Sequence, residues 1–433
     1  MGKDHFSMKS ALSRLHSADI AETMVSLTDE ERETLFQLLD DRTAAEVLDG
    51  VDSETQAGLL DDLELSEIAA LLNAMPLDEA ADLLGQLEEK ERLSVLQIMK
   101  QETADKIRQL MKHKDDSAGG IMTPEIFSVY PEKTAEEVID KLRHASLADE
   151  IISIYVVNEQ GRLLGMVPLR KLITAPKDQP VGKLMLTDVV TVQADMDQEE
   201  AARYALKYDL LAIPVVDTDG RLVGRITMDD VMEVMEEEAS QDMLRLAGTT
   251  EQTLETRSVL STARLRIPWL LVCLLGCTLS AIVLEHFGAT LAEAVALAFF
   301  IPAIMAMGGN SGIQTSTTVV RGLATGTVKK DQLYGLLLRE IRVALVIGMV
   351  CGLLASIPAY WLTGMWLMGL IVGVSLACAM IVAVTGGVLW PMLGHSLGID
   401  PAVAAGPFIT TTNDITGLLI YFFIASTLLR LWN

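Results

Sequence analysis

Pro407 to Leu431 reads PFITTTNDITGLLIYFFIASTLLRL, an apolar run that carries one carboxylate, Asp414, well inside it. A helix needs about 20 mostly apolar residues to cross a bilayer, and this run supplies them. An ionised Asp near the middle of such a helix costs roughly 2.5–3.5 kcal/mol on insertion scales, so it rarely faces lipid. Helical spacing puts Gly406, Thr410 and Asp414 on one face, with Gly417 nearby and Thr411 and Asn413 flanking it. That stripe is small, hydroxylated and acidic, the kind of surface that lines a watery passage for a cation. The plainer alternative is an Asp satisfied by a neighbouring helix for packing alone.

Charge is distributed as if the chain lived in two media. Of its 59 acids and 34 bases, only six of each lie from Pro268 onward, which leaves 53 acids and 28 bases in the first 267 residues and the whole net charge of −25 there. An acidic, water-soluble part and a neutral membrane part follow. Such an acidic surface repels nucleic acid and attracts cations. Cys273, Cys277, Cys351 and Cys378 all sit in apolar runs and read as small apolar residues rather than as a zinc site. The polar, charged N-terminus shows no signal peptide and is expected in the cytosol.

Residues from about Ala11 to Met111 have a helical pattern throughout, with short apolar blocks between acidic turns. Ala44–Leu48 and Ile68–Leu72 suggest a repeat of roughly two dozen residues, one helix pair per unit, stacked as a small superhelix. Many of the acids suit helix N-caps and first turns. From Gly119 to about Ala239 the pattern becomes strand, helix, strand, strand, helix, given twice. ISIYVVNEQGRLLG (residues 152–165) in the first copy matches AIPVVDTDGRLVG (212–224) in the second. Gly161 aligns with Gly220 and Gly165 with Gly224 at an offset of 59, whereas the two starts, near Ile121 and Leu184, are offset by 63. The first copy therefore carries four extra residues near its middle.

This double repeat resembles a CBS-domain pair, a regulatory module that often binds adenine nucleotides between its halves. After Gly224 the second copy presents Thr227 and Asp229, which match the ribose-contacting motif of nucleotide-binding CBS domains; the first has Pro168 and Arg170 there. One nucleotide site is implied rather than two, and a pair that binds no nucleotide is the alternative. A polar, helix-prone connector follows from Gln241 to Arg266. Five apolar runs come next, at roughly 268–287, 291–308, 333–358, 364–393 and 403–430. Basic residues gather before the first run and between the second and third, while the loops at 286–290 and 359–364 carry none. The positive-inside bias thus places residues 1–267 in the cytosol and, after five spans, the C-terminus outside.

Between the second and third runs lies Met307-Gly-Gly-Asn-Ser-Gly-Ile-Gln-Thr-Ser-Thr-Thr, residues 307–318. Glycines with amides and hydroxyls permit close helix approach and supply oxygen donors. Gly-Gly-Asn-x-Gly-x-Gln, then an intramembrane Pro-x-x-Thr-Thr-x-x-Asp, after a CBS pair and an acidic helical domain, resembles the MgtE family of magnesium channels across nearly the whole chain. The resemblance implies a multidomain membrane protein: an all-α superhelical N domain (1–117), an α/β tandem CBS pair (118–240), a connecting or plug helix (241–267) and a five-helix transmembrane domain (268–433). It implies a homodimer in the cell's inner membrane, with a pore between two five-helix bundles and the connector helix closing its cytosolic mouth. Asp414 would be the ion-selecting carboxylate, Gly406 and Thr410 pore-lining positions, and Asn310 part of the family's glycine segment. Ile313 stands where many members have Asn, and Gly406 where some have a polar residue.

Magnesium is small, prefers six oxygens and gives up water reluctantly, so a pore does best to hold the hydrated ion. Two Asp414 carboxylates across a two-fold axis would repel each other unless a dication sat between them. The resemblance also implies feedback, with cytosolic magnesium bridging acids to lock a closed state. The matching acids are Glu46, Asp78 and Asp82 in the first domain, and Asp197, Glu199, Asp209, Asp230, Glu233, Glu238 and Asp242 in the second CBS copy and its exit helix. Magnesium is then both cargo and regulator, with ATP an admissible ligand of the CBS pair. Two alternatives stand beside a magnesium-gated magnesium channel: a coupled transporter of another divalent such as cobalt or manganese, and a non-conducting, membrane-anchored nucleotide sensor. No nucleophile–base arrangement, phosphate loop or hydrolase motif points to an enzyme.

Overall fold

The computed structural model describes residues 12, 14–145, 151–250, 253, 258–329 and 332–432. The chain divides into two compact units, Met1–Glu237 and Glu238–Asn433. Among the described residues of the first, eight short helices run from Ser17 to Leu110: α1 (Ser17–Val25), α2 (Asp29–Phe36), α3 (Asp41–Asp49), α4 (Ser53–Asp61), α5 (Leu65–Leu72), α6 (Leu77–Gln86), α7 (Glu89–Ile98) and α8 (Gln101–Leu110). The odd-numbered helices begin at residues 17, 41, 65 and 89, so the helix pair repeats every 24 residues. Most of these helices pack on the one two places along, α1 on α3, α3 on α5, α5 on α7 and α6 on α8 among them, which lets a short amphipathic helix bury one stripe against its equivalents. Acids do cap these helices: Asp40 accepts from Thr43 N at 3.1 Å and Asp52 from Thr55 N at 2.9 Å, and Glu31 and Glu67 close capping boxes.

The CBS pair follows. Its first copy comprises β1 (Ser128–Val129), α9 (Ala135–Arg143), β2 (Ser153–Val157), β3 (Leu163–Pro168) and α10 (Leu169–Ile173). Its second comprises β4 (Val192–Gln193), α11 (Gln198–Lys207), β5 (Ala212–Val216), β6 (Leu222–Thr227) and α12 (Met228–Leu246). Each copy makes a three-stranded sheet, parallel between its first two strands and antiparallel between the last two, with Ile154 opposite Val167 and Ile213 opposite Ile226. The offset is 63 at the start of the copy's first helix and 59 at its second strand, which puts the four extra residues between α9 and β2. The lead-in of each copy pairs with the third strand of the other: Thr123 with Arg225, and Leu186 with Met166. This exchange explains the repeated glycine. A Cβ on Gly165 would lie 2.5 Å from Leu186 O, and one on Gly224 3.0 Å from Thr123 O. The apolar core of the helical domain runs without a break into the second copy, joining Leu48, Leu72 and Leu84 to Ile213, Ile226 and Val231. The first copy keeps a core of its own around Ile154, Val156 and Val167.

Five helices of the second unit are long and apolar enough to cross a membrane: Val259–His286, Val295–Ala324, Leu333–Thr363, Trp366–Ser396 and Pro401–Trp432. They are called the first to fifth spans below. The fourth is the most buried and forms the middle of the bundle; the first is the least. Small residues set the spacing, as expected where lipid gives helices no hydrophobic reason to associate. Gly352 meets Gly373 across the third and fourth spans, and a Cβ on Gly387 would stand 2.6 Å from Gly312 O of the second. On the second span, Leu297 O accepts from Tyr421 Oη of the fifth at 2.9 Å.

Two expectations shift here. The Met307–Thr318 segment does not lie between the second and third spans but inside the second, which runs to Ala324. Its amides and hydroxyls lower the hydropathy and so conceal a helix that continues with Gly312 packed closely on Asn413 and Ile409 of the fifth span. The connector at 241–267 is also divided. Helix α12 continues to Leu246, the chain turns at Gly248 with φ +73°, and the residues from Val259 onward belong to the first span. Arg257 lies outside the described residues.

Because Gly387 has no room for a side chain, Gly387→Val should destabilise the membrane unit by about 1–3 kcal/mol or more. The purified protein in detergent should then melt at a lower temperature. Gly335→Val, at a position with nothing near its would-be Cβ, should leave the melting temperature nearly unchanged.

Candidate functional site

The fifth span is two helices joined at Gly406, whose φ of −42° and ψ of −112° are not helical. Pro407 follows and has no N–H to offer the preceding turn, so the break sits where a hydrogen bond is already missing. Gly406 therefore does not share a continuous helical face with Thr410 and Asp414, as the spacing alone suggests; those two are one turn apart beyond the kink. Gly406 is buried, and a Cβ there would stand 3.1 Å from Arg245 O and 3.2 Å from Leu246 O. Thr410 is half-buried and donates to Pro407 O at 3.0 Å, which leaves its oxygen able to accept. Asp414 is half-buried and makes no hydrogen bond or ion pair among the described residues. The neighbouring helices thus do not satisfy it.

Beside the kink lies a cavity of 270 Å³ whose walls include Leu246, Ala247, Cys273, Ser316, Gly406 and Thr410. The buried Ser316 hydroxyl has no hydrogen-bond partner among the described residues. On the second span, Ser311, Gly312, Thr315 and Ser316 face inward, while Asn310, Gln314, Thr317 and Thr318 are exposed along the other side. Thr318 donates to Gln314 O at 3.0 Å, but the two amides have no such local partner among the described residues, and each unsatisfied polar group facing lipid costs several kcal/mol. Asn310 therefore sits on an outward polar stripe and not in the packed interface.

The regulatory acids fall into three sets. Asp78, Asp82, Asp230 and Glu233 converge, joined by Asp49, Glu79, Asp115 and Glu237, which are not among the acids the family resemblance implies. Burial, then the charges of Asp230 and Asp82, pushes Asp78 up to about 7, and its Oδ1 is buried without a partner. Asp82 keeps solvent at its flank, yet the surrounding side chains and the charges of Asp115, Glu233, Glu237 and Asp49 also raise it to about 7. Burial and the neighbouring Asp49 raise Glu79; burial and the carboxylates of Asp49, Asp230 and Asp229 raise Glu233. Asp230 is raised by burial although Thr227 donates to it through both N, at 2.9 Å, and Oγ1.

The second set is Glu238 and Asp242. Burial and the charges of Asp400 and Glu238 push Asp242 up to about 6, against Arg245 and Arg321. The third set is dispersed. Glu46 is exposed and paired with Arg42 at 3.1 Å, Asp197 caps α11 by accepting from Glu199 N and Glu200 N, and Asp209 is exposed at φ +51°. Glu199 is half-buried in the first turn of α11. Among the described residues, no three carboxylates, histidines or cysteines stand close enough to hold a metal unaided. The first set nonetheless fits a divalent cation, because it gathers hard oxygen donors, strands one of them and supplies almost no counter-charge. The one signal for the missed acids is adjacency: Asp49 follows Glu46 by three residues on α3, and Glu79 follows Asp78. For a nucleotide, Asp229 is exposed, while the Thr227 hydroxyl is already committed to Asp230.

Family models match three parts of the chain. Residues 15–116 match the family model described as the MgtE intracellular N domain, 118–178 and 181–237 the CBS domain, and 301–424 MgtE, a divalent cation transporter. The chain is 39% identical to the magnesium transporter MgtE of Thermus thermophilus over 322 residues, 74% of this chain and 71% of that one. With the Bacillus subtilis protein of that name it shares 38% identity over 317 residues, 73% and 70% of the two chains. Among solved structures, the cytosolic domain of the Mg2+ channel MgtE in complex with ATP superposes with a TM-score of 0.50 at 37% identity, over 52% of this chain and 93% of that one. The soluble part of a magnesium transporter gives 0.51 at 29% identity, over 55% and 94%. With all three domains matched in order and five spans present, the chain belongs to the MgtE family of magnesium transporters, as a multi-pass membrane protein.

Proposed function

We propose that this transporter is a magnesium channel closed by cytosolic magnesium, built as a homodimer, and that it catalyses no reaction. The observation that carries this reading is an unpartnered Asp414 on the same membrane unit as an exposed polar stripe at Asn310, Gln314, Thr317 and Thr318. Neither feature is tolerable against lipid. A second copy facing that stripe would enclose a watery path, with one Asp414 from each subunit, Thr410 one turn away and Gly406 at the kink. Two carboxylates so placed favour a dication over a monovalent ion, because one dication neutralises both. Hydroxyls and amides around them can hydrogen-bond the ion's water shell, which magnesium keeps. On this topology the N-terminal unit is cytosolic and the C-terminus lies outside, as the basic residues near the first and second spans suggest.

Closure would come from the acids. At low magnesium the carboxylates of Asp78, Asp82, Asp230 and Glu233 repel one another; cations arriving from the cytosol hold the helical domain against α12. The chelating set is incomplete, so binding draws in water or shifts the carboxylates, which suits a sensor of millimolar ion rather than a tight store. Glu238 and Asp242 extend the same device along α12, while Glu46, Asp197, Glu199 and Asp209 supply further sites around the second CBS copy. An adenine nucleotide in the CBS pair belongs to the reading as a second ligand, in line with the ATP in the related cytosolic domain. Its ribose would meet Asp229 rather than Thr227.

Asp414→Asn should abolish magnesium flux into liposomes or cut it at least about a hundredfold while the protein still assembles; undiminished flux would exclude Asp414 from the path. Asp230→Asn with Glu238→Gln should raise the internal magnesium needed for half-closure about tenfold, within the usual span of coupling between sites. Proton linkage gives a third outcome. Asp78 and Asp82 titrate near 7 in the packed arrangement and near 3.9 when unfolded, so the packed form holds extra protons between those values. Its stability therefore falls as pH rises through that window and stays low above it, until a divalent cation replaces the protons. Without magnesium, protease protection of the N-terminal unit should weaken from pH ~5.5 to ~8, and millimolar magnesium should restore it.

A further inference from the structure

The end of α12 does not merely lie near the fifth span. Arg245 forms an ion pair through Nη1 with Asp400 Oδ2, and its Nη2 donates to Gln241 Oε1 at 2.8 Å, so the guanidinium is held from its own helix. Asp400 is the residue that starts the fifth span: its other oxygen accepts from Ala402 N at 2.7 Å. Its two oxygens thus join α12 to the first turn of that span. Six residues further on, Gly406 leaves just enough space for the carbonyls of Arg245 and Leu246, and Gly248 turns the chain beside Pro407. Leu246 packs with Val320, Ala402, Ala405 and Ile409, and with Ala247 it forms one wall of the cavity that Ser316, Cys273 and Thr410 also line.

We propose that Arg245 is the positioning residue that seats the last turn of α12 on the fifth span through Asp400, and so sets how firmly residues 246 and 247 cover the cavity beside Gly406 and Thr410. The surrounding charge says why a cation is needed there. Asp400 and Glu238 crowd Asp242, with Arg245 and Arg321 as the opposing charges. Removing Arg245 would leave Asp242 and Asp400 facing one another with only Arg321 to offset them, and the packing of Leu246 and Gly248 would have to hold the joint. A partly buried, charge-assisted pair is among the stronger single contacts a protein makes. The functional part of this proposal rests on the channel reading above, but the seating itself does not.

Cys273 provides a readout that needs no transport. In purified full-length protein, Arg245→Gln and Asp400→Asn, the latter keeping an oxygen for Ala402 N, should each speed modification of Cys273 by a hydrophilic thiol reagent about tenfold, followed residue by residue in a mass spectrometer. Arg245→Lys should stay within about twofold of the parent. The double variant should be no faster than either single one, because both remove the same pair. Rates at Cys351 and Cys378 report general loosening and should not move. In liposomes, the same single variants should need more internal magnesium for half-closure. Unchanged Cys273 rates, or a double variant whose effect is the product of the two singles, overturn the proposal. Accelerated Cys273 rates with no magnesium flux in the parent protein would instead leave the seating standing and remove the channel reading.

Discussion

A carboxylate well inside an apolar span, with no hydrogen bond or ion pair among the described residues, is the constraint from which the membrane unit is best understood. Asp414 has no such partner among the described residues. A helix bundle can relieve that cost by packing a donor against the group, and donors lie close by: Asn413 and Ser316 are both buried with a polar atom that has no partner among the described residues. They are not turned to that task. The glycines of the second and fourth spans bring three helices together around Asn413 and Gly312, one residue away from the carboxylate, and leave it clear. The exposed amides and hydroxyls of the second span belong to the same arrangement, since they too require water or protein, not lipid, as their surroundings.

In the N-terminal unit the controlling term is repulsion. Eight acids converge where the helical domain meets α12, and burial raises the pKa of several because their charged forms are poorly solvated and face like charges. The helical domain and the second CBS copy nevertheless share one apolar core. The two terms oppose each other. Hydrophobic burial favours contact regardless of ionic conditions, whereas the electrostatic term depends on protons and cations, so small changes in either move the balance.

The CBS pair supplies a rigid frame for that balance. Each copy lends its lead-in segment to the other's third strand, through Thr123 with Arg225 and Leu186 with Met166. Neither sheet is complete alone. The helix that carries Asp230 and Glu233 starts directly after β6, so its direction is fixed by a strand that both copies hold.

Much of this was legible in the order of residues. The 24-residue helix repeat, the doubled GR-L-x-G segment and the five apolar runs are periodic patterns, and periodicity is local: each position needs only its neighbours a few residues away to define a face. Asp414 was legible for the same reason, as one charge in a run of apolar residues. The course of the second span was not, because only one face of Met307–Thr318, with Ser311, Gly312, Thr315 and Ser316, is buried, and packing against the fourth and fifth spans decides that. Nor could spacing show that Asp49 and Glu79 join Asp230 and Glu233, or that Glu46 turns aside to Arg42. The meeting of Arg245 with Asp400, 155 residues apart, is the extreme case. Helical and strand periods say which way a side chain points on its own element; which groups then face each other depends on how the elements pack, and that is settled only by burying all of their apolar faces at once.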